Sequence, residues 1–257
     1  GELGSHQLDA ATIFCSALRA DGKKAHPLTV HAVGGRHIFP ADRDADDHVY
    51  CTFEFPGPEY SEKFDLGYKQ AGGIKGVPGY DQDPNKKIVV TYSTINGNVY
   101  GGYGEVVMGT KGTLVLEKEQ EVMLYAKGDT SAAAGVKAAG SGYALDTQAS
   151  GGASAPVSKA AAAAGPVSRG YTEEIEHWAY CIRNNSPENR PRCYPEVAMA
   201  DAIIALTTNV ALRKSAQGDA GFVKFQESWF DVDSDDTPDG SVVADEMQRL
   251  KEYKIPT

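Results

Sequence analysis

The sequence predicts an α+β domain: an open, mainly antiparallel β-sheet with helices packed on one face. Three observations lead there: a helical repeat of apolar residues opens the chain, a series of short β-rich runs joined by turns follows, and two amphipathic helical stretches precede a last short strand. Strands joined by turns pair antiparallel, because a parallel neighbour requires a crossover of a dozen or more residues.

From Leu3 to Leu18 the apolar residues Leu3, Ala10, Phe14 and Leu18 recur at helical intervals, and Asp21-Gly22 with Pro27 stops the pattern. Leu28 to Val33 alternates as a strand before Gly34-Gly35, and residues 42–47 form an acidic loop. His48 to Phe55 is rich in β-branched and aromatic residues and ends at Pro56. Residues 56–86 hold four prolines, many glycines and the tyrosines Tyr60, Tyr68 and Tyr80 without a sustained period, so they form a long loop of the kind that often carries function. Lys87 to Thr94 is the next strand, Asn96-Gly97-Asn98 a turn, and Tyr100 to Met108 a further strand. Gly109-Thr110-Lys111-Gly112 closes a hairpin into Thr113 to Glu117, and Glu121 to Ala126 adds another strand. These strands are expected to lie in a single layer.

Residues 130–167 change to Ala, Gly and Ser with scarcely any large apolar side chain, so the segment cannot offset its ordering entropy by burial. A flexible low-complexity insertion is expected, with an alanine-rich helix as the alternative, shortened by Pro156 and Pro166. Thr172 is read as an N-cap ahead of Glu173 and Glu174, with Ile175, Trp178, Ala179 and Ile182 on one face of the helix that follows. Met199, Ile203, Leu206 and Val210 trace a second helix that ends near Lys214 and Gly218, and Gly221 to Gln226 reads as the last strand. The organisation expected is one α+β domain over 1–230 with its insertion at 130–167, then an acidic tail over 231–257 with a short amphipathic helix around Val243 to Lys251.

With 25 basic and 35 acidic residues the formal charge is −10, which repels polyanions, so nucleic acid is not the expected partner. No run approaches the roughly 18 consecutive apolar residues of a membrane helix, so no membrane partner is expected either. Cys15, Cys51, Cys181 and Cys193 lie far apart in or beside apolar runs and read as buried free thiols, which fits a cytoplasmic or an exported protein. Gly1-Glu2-Leu3-Gly4 has neither an initiator Met nor a secretory signal, so the chain is read as a fragment, a processed product or an incompletely known sequence. His26, His31, His37 and His48 lack metal-ligand spacing and are read as scattered, and the aspartates from Asp231 to Asp239 lack the glycine and glutamate of a calcium loop, so no metal is expected. No G-x-S-x-G elbow is present.

The opening helix places Glu2, His6 and Asp9 at i, i+4 and i+7, within a stripe about 60° wide. A carboxylate beside an imidazole holds its tautomer and raises its basicity, which suits a general acid/base; a surface pair without chemistry satisfies the same spacing.

Glu2-Leu3-Gly4-Ser5-His6-Gln7-Leu8-Asp9 resembles the D-x-G-x-H-x-x-D segment that opens the C-terminal domain of the Gfo/Idh/MocA oxidoreductases. Tyr100-Gly101-Gly102-Tyr103-Gly104-Glu105 with Gly109-Thr110-Lys111-Gly112-Thr113-Leu114 resembles the family's hairpin, and the stretches Glu174 to Asn185 and Val197 to Arg213 resemble its closing pair of helices. The resemblance implies the family's C-terminal, glyceraldehyde-phosphate-dehydrogenase-like fold. It also implies the substrate-binding and oligomerising half of an NAD(P)-dependent oxidoreductase acting on a hydroxyl of a sugar, cyclitol or glycoside. His6 then assists proton transfer, with Glu2 standing where the family more often has Asp. Beside the resemblance, Asp9, Tyr68 and Tyr80 are taken as candidate substrate contacts from their own positions on the helix and in the long loop. The loop tyrosines stack on sugar rings in that reading, or else pack the loop down. NAD or NADP would be held mainly by an N-terminal Rossmann domain not contained in this chain. Neither Gly34-Gly35 nor Gly101-Gly102-Tyr103-Gly104 satisfies G-x-G-x-x-G, and no E-K-P segment with the family's catalytic lysine occurs. The alternative is a non-catalytic carbohydrate-binding or assembly domain of the same fold. An open sheet covered on one face leaves an apolar face, from which a homodimer or homotetramer is expected.

Overall fold

A computed structural model describes residues 4–61, 86–97, 102–117, 121–126, 135–139, 142–146, 158–159 and 170–252. Glu2, Tyr68 and Tyr80 lie outside the described residues. The elements are α1 (Gly4–Ser16), β1 (Thr29–Gly35), β2 (His48–Pro56), β3 (Lys87–Ile95), β4 (Gly104–Met108), β5 (Gly112–Glu117), β6 (Glu121–Ala126), β7 (Gly135–Ala139), β8 (Gly142–Asp146), β9 (Ser158–Lys159), α2 (Tyr171–Arg183), α3 (Pro195–Ala216), β10 (Phe222–Lys224) and α4 (Val243–Glu252). The class is α+β, with every described strand pair antiparallel.

The strands do not form the single layer expected. They make two four-stranded sheets, ordered β10-β1-β2-β3 and β4-β5-β6-β9, and a β7-β8 pair. Correspondingly, the chain divides into two compact units, residues 1–98 with 192–257 and residues 99–191, where the sequence reading groups 1–230 as one domain. The division falls between residues 98 and 99, and from Gly104 onward β4 pairs with β5.

In the first unit the period-two alternation of the strands sorts residues onto two faces. Val30, Ala32, Cys51, Phe53, Phe55 and Val223 are buried on one face, flanked by half-buried Val49, Ile88, Val90 and Tyr92. Helices α1 and α3 cover this face, contributing Leu8 and Cys15 from α1 and Ala200, Ile204, Ala211 and Leu212 from α3. By length and composition α3 could cross a membrane, but its apolar face is spent on the sheet. Its buried hydroxyls return to the helix backbone, Thr207 donating to the Ile203 carbonyl at 2.6 Å, so burial leaves no orphan donor there. The opposite sheet face keeps Val33, Tyr50, Val89 and Phe222 exposed among polar neighbours. After β10, a 3-10 turn over Glu227–Phe230 buries Trp229 against Phe225, with ring centres 5.9 Å apart. The acidic tail belongs to this unit and ends in α4, near the helix expected there.

In the second unit the β4-β5 hairpin closes where the sequence places it, with the Gly109 N–H on the Gly112 carbonyl at 2.8 Å. Within 130–167 the structure describes three strands, β7, β8 and β9, rather than a featureless insertion. Val136, Tyr143 and Leu145 are strand formers, and a backbone ladder satisfies its own polar groups without a large side chain at every position. Helix α2 begins one residue before Thr172: its N-cap is Gly170, at φ 85°, a left-handed conformation that costs glycine nothing, and no side chain caps the first turn. Three of the four cysteines are buried as expected, and Cys193 is exposed. Burial pushes the Cys15 thiol up to about 11 and that of Cys51 up to about 12, so both are inert core groups.

Candidate functional site

Helix α1 is seated on the first unit at two points. Gly4 packs against Tyr92 of β3, where a Cβ would stand 2.9 Å from the phenol oxygen and the ring would have to shift. One turn beyond His6, Asp9 accepts a hydrogen bond from Lys24 Nζ at 3.1 Å, and the same ammonium contacts Asp201 of α3. The Thr12 hydroxyl donates to the Asp9 carbonyl at 2.8 Å. The side chains of Lys24 and Asp201 are only 17% and 13% exposed, so one cation bridges two carboxylates in a site that water reaches poorly. Burial raises the Asp201 pKa; Lys24 opposes this by hydrogen bond and charge, while Asp9 reinforces it, and the net direction is upward.

Between these anchors His6 is exposed, and among the described residues it makes no hydrogen bond or ion pair. The structure therefore places the sequence-derived site residues unequally. His6 faces solvent from a fixed helix, Asp9 is engaged with Lys24, and Glu2 lies outside the described residues, as do Tyr68 and Tyr80. Of the loop tyrosines Tyr60 is described, and it lines a cleft of about 660 Å³ with Arg19, Pro27, Lys224, Phe225 and Glu227. That cleft lies past the far end of α1: the ten residues from His6 to Ser16 alone span about 15 Å. Its rim is ion-paired. Arg19 grips Asp21 through two hydrogen bonds of 2.9 and 2.6 Å, and His26, stacked on Phe230 at 3.8 Å, meets Glu227 at 3.1 Å. The tyrosine and the histidine are thus not brought to one pocket.

Sequence reasoning missed Lys24 and Asp201, and it missed a second centre at Asp47. The Asp47 side chain has no solvent exposure. Its carboxylate accepts the backbone N–H of His37 at 2.9 and 3.0 Å, of Ile38 at 2.7 Å and of Phe39 at 2.6 Å, and it also meets Nδ1 of His48. Desolvation pushes its pKa up, but the hydrogen bonds from Phe39, His48, His37 and Ile38 together outweigh it and hold the carboxyl well below the usual carboxylate range. The only hint in the sequence is the acidic run ending at Asp47, which does not distinguish that residue from Asp42, Asp44 or Asp46.

Gly34-Gly35 ends a strand paired with β2, and Gly104 opens β4 rather than a helix, so neither supplies the helix N-terminus that binds a pyrophosphate. Among the described residues no group of three or more His, Cys, Asp or Glu side chains is arranged to hold a metal ion.

No family model matches the chain, and no curated protein matches it. Among solved structures it is similar to an oxidoreductase from Sinorhizobium meliloti, at 16% identity and a TM-score of 0.47, over 87% of this chain and 52% of that one. The chain therefore spans about half the length of that oxidoreductase.

Proposed function

We propose that this chain is the substrate-binding and oligomerising half of an NAD(P)-dependent oxidoreductase acting on a hydroxyl of a sugar, cyclitol or glycoside. The observation that supports the reading is the place of His6, exposed on a helix tied to α3 through Asp9, Lys24 and Asp201, although it faces solvent and the strands part into two sheets where a pocket at the edge of a single layer was expected. General acid/base chemistry needs such a group, held in position and open to a substrate. The ordered resemblance of the opening helix, the hairpin and the closing helices to the Gfo/Idh/MocA oxidoreductases supports the same reading. In it His6 takes the proton of the reacting hydroxyl, and Asp9 acts through Lys24 to hold the helix rather than touching substrate. In this reading, as the resemblance implies, the nicotinamide cofactor is held mainly by another module.

The test is His6→Ala in the complete protein, assayed with a panel of sugars and both nicotinamide cofactors. Turnover is expected to fall about 100-fold or more. An unchanged rate refutes a proton-transfer role. That His6 does not line the cleft lined by Tyr60 favours a second reading, a carbohydrate-binding or assembly domain without chemistry. Calorimetry separates the two: saccharide binding by this chain alone, indifferent to cofactor, supports the second. In either reading the exposed Val33, Tyr50, Val89 and Phe222 face carries self-association, and light scattering of a monomer at micromolar concentration would contradict it.

A further inference from the structure

His37 and His48 stand eleven positions apart in sequence, on either side of an acidic loop, and the fold brings their rings together. We propose that the two imidazoles form a binding site for a divalent transition-metal ion of the zinc class, with Asp47 as the carboxylate that orients one of them.

The placement follows from strand register. The β1-β2 ladder sets Gly35 directly opposite His48. Gly35 has φ 153°, in the range that favours glycine, and the His37 ring lies where its side chain would be, with Nε2 3.2 Å from the position of a Cβ. His37 thus occupies the cross-strand neighbour position of His48. The ring centres are 5.2 Å apart, with planes inclined at 71°. Zinc sits about 2.0–2.1 Å from an imidazole nitrogen, which lies roughly 1.2 Å from its ring centre, so two rings at a tetrahedral angle have centres about 5 Å apart. The observed separation of the ring centres, 5.2 Å, matches that value, and a turn of the exposed His37 ring would aim its nitrogen at the shared position.

The second part of the argument is the tautomer. The Asp47 carboxylate accepts three backbone N–H groups and acts here as an acceptor, so the His48 nitrogen against it, Nδ1, carries the hydrogen. That leaves the lone pair on Nε2, the arrangement in which a carboxylate orients a metal-binding histidine and raises its basicity. Three backbone N–H groups from residues 37–39 fix the carboxylate in turn, so the same group that orients His48 also pins the backbone of His37. Both rings are reachable: His37 is exposed and the His48 side chain is 21% exposed. The loop adds exposed Asp42, Asp44 and Asp46, while its two cations are engaged, Arg36 donating to the Ala41 carbonyl at 2.8 Å and Arg43 lying 4.6 Å over the Phe39 ring. Neutral imidazole selects zinc, copper or nickel over magnesium or calcium. With two protein ligands the remaining positions fall to water, so the expected affinity is micromolar rather than that of a closed structural site.

The experiment is isothermal titration of the chain with zinc chloride at neutral pH, with magnesium chloride as the control. One zinc ion per chain with a micromolar Kd, and no magnesium binding, is expected. His37→Ala is the decisive variant, because it removes an exposed ring and keeps the backbone N–H that Asp47 holds. It should weaken zinc at least tenfold with an unchanged circular dichroism spectrum, and His48→Gln should do the same. His6, His26, His31 and His177 remain in both variants, so capture by scattered surface histidines would leave the titration as in the parent. That result overturns the proposal, as would no zinc binding by the parent chain or equal binding of magnesium.

Discussion

The two four-stranded sheets are alike in pairing and differ in what covers them. In the first unit Phe53 and Phe55 are fully buried beneath α1 and α3, whereas in the second Val106 and Met108 are 60% and 82% exposed and, of the described side chains, Met123 and Cys181 are the buried hydrophobics. An antiparallel ladder satisfies its own backbone, but most of its stability comes from the layer that takes its apolar face out of water. The difference is sharpest at Phe53, which sits mid-strand between Val30 and Val90 in the ladder. Phe53→Ala should lose about 3–5 kcal/mol, through lost burial and the cavity left behind, read as a shift in the urea midpoint. A loss below about 1 kcal/mol would mean that the helix layer is not packed as described.

The covering layer is itself tied by a polar contact. Lys24→Met removes the cation between Asp9 and Asp201, leaving two carboxylates facing each other in a poorly hydrated site. Removing one partner of a fully buried pair costs about 3–5 kcal/mol; Asp9 is 39% exposed, so roughly 1–3 kcal/mol is expected here. The double variant Lys24→Met with Asp201→Leu should recover part of that loss, because it removes a stranded charge as well. If the two losses simply add, the bridge does not couple α1 to α3.

What was legible in the sequence is what burial makes periodic. The spacing of Ala10, Phe14 and Leu18 predicts a helix that the structure shows over Gly4–Ser16, and β-branched runs predict β2, β3, β5 and β6 to within a residue or so. The separation into two sheets was not legible, because a strand's own pattern shows that it pairs without showing with which neighbour. The contacts around α1 were hidden for the same reason: Lys24 and Asp201 lie 177 positions apart, and neither falls in a repeat. Asp47 was hidden because a carboxylate that organises a loop and one that is merely solvated look the same in a run of aspartates. For the candidate site, the stripe of His6 and Asp9 on one helix was legible, and it is tertiary pairing that engages Asp9 with Lys24 and leaves His6 exposed.

The polar anchors of the first unit also give it a pH signature. The folded-state pKa of Asp47 is lowered, so its contribution is fully present above the ordinary carboxylate value near 4 and is lost as pH falls through the depressed folded value. Asp201 runs the other way: its folded value is raised, so its contribution is present below the unfolded pKa and fades as pH rises through the folded one. Asp47→Asn should flatten the acid side of the stability curve and lower the plateau at neutral pH. A variant that keeps the parent's full acid dependence would assign that dependence to other carboxylates.

The smallest effect should come from the second sheet, at the position that most resembles a core residue in sequence. Met108 ends β4 with Val107 before it and the hairpin glycine after it, so by pattern it is apolar strand. At 82% exposure it has little burial to lose, and Met108→Thr exchanges an exposed thioether for a β-branched residue that suits a strand. The expected change in the chain's unfolding free energy is within about 0.5 kcal/mol in either direction. The comparison turns on this pair of sites: equal apolar character in sequence, opposite cost on removal. Should Met108→Thr lose as much as Phe53→Ala, the second sheet would have a covering layer of its own, and the distinction drawn between the two units would be wrong.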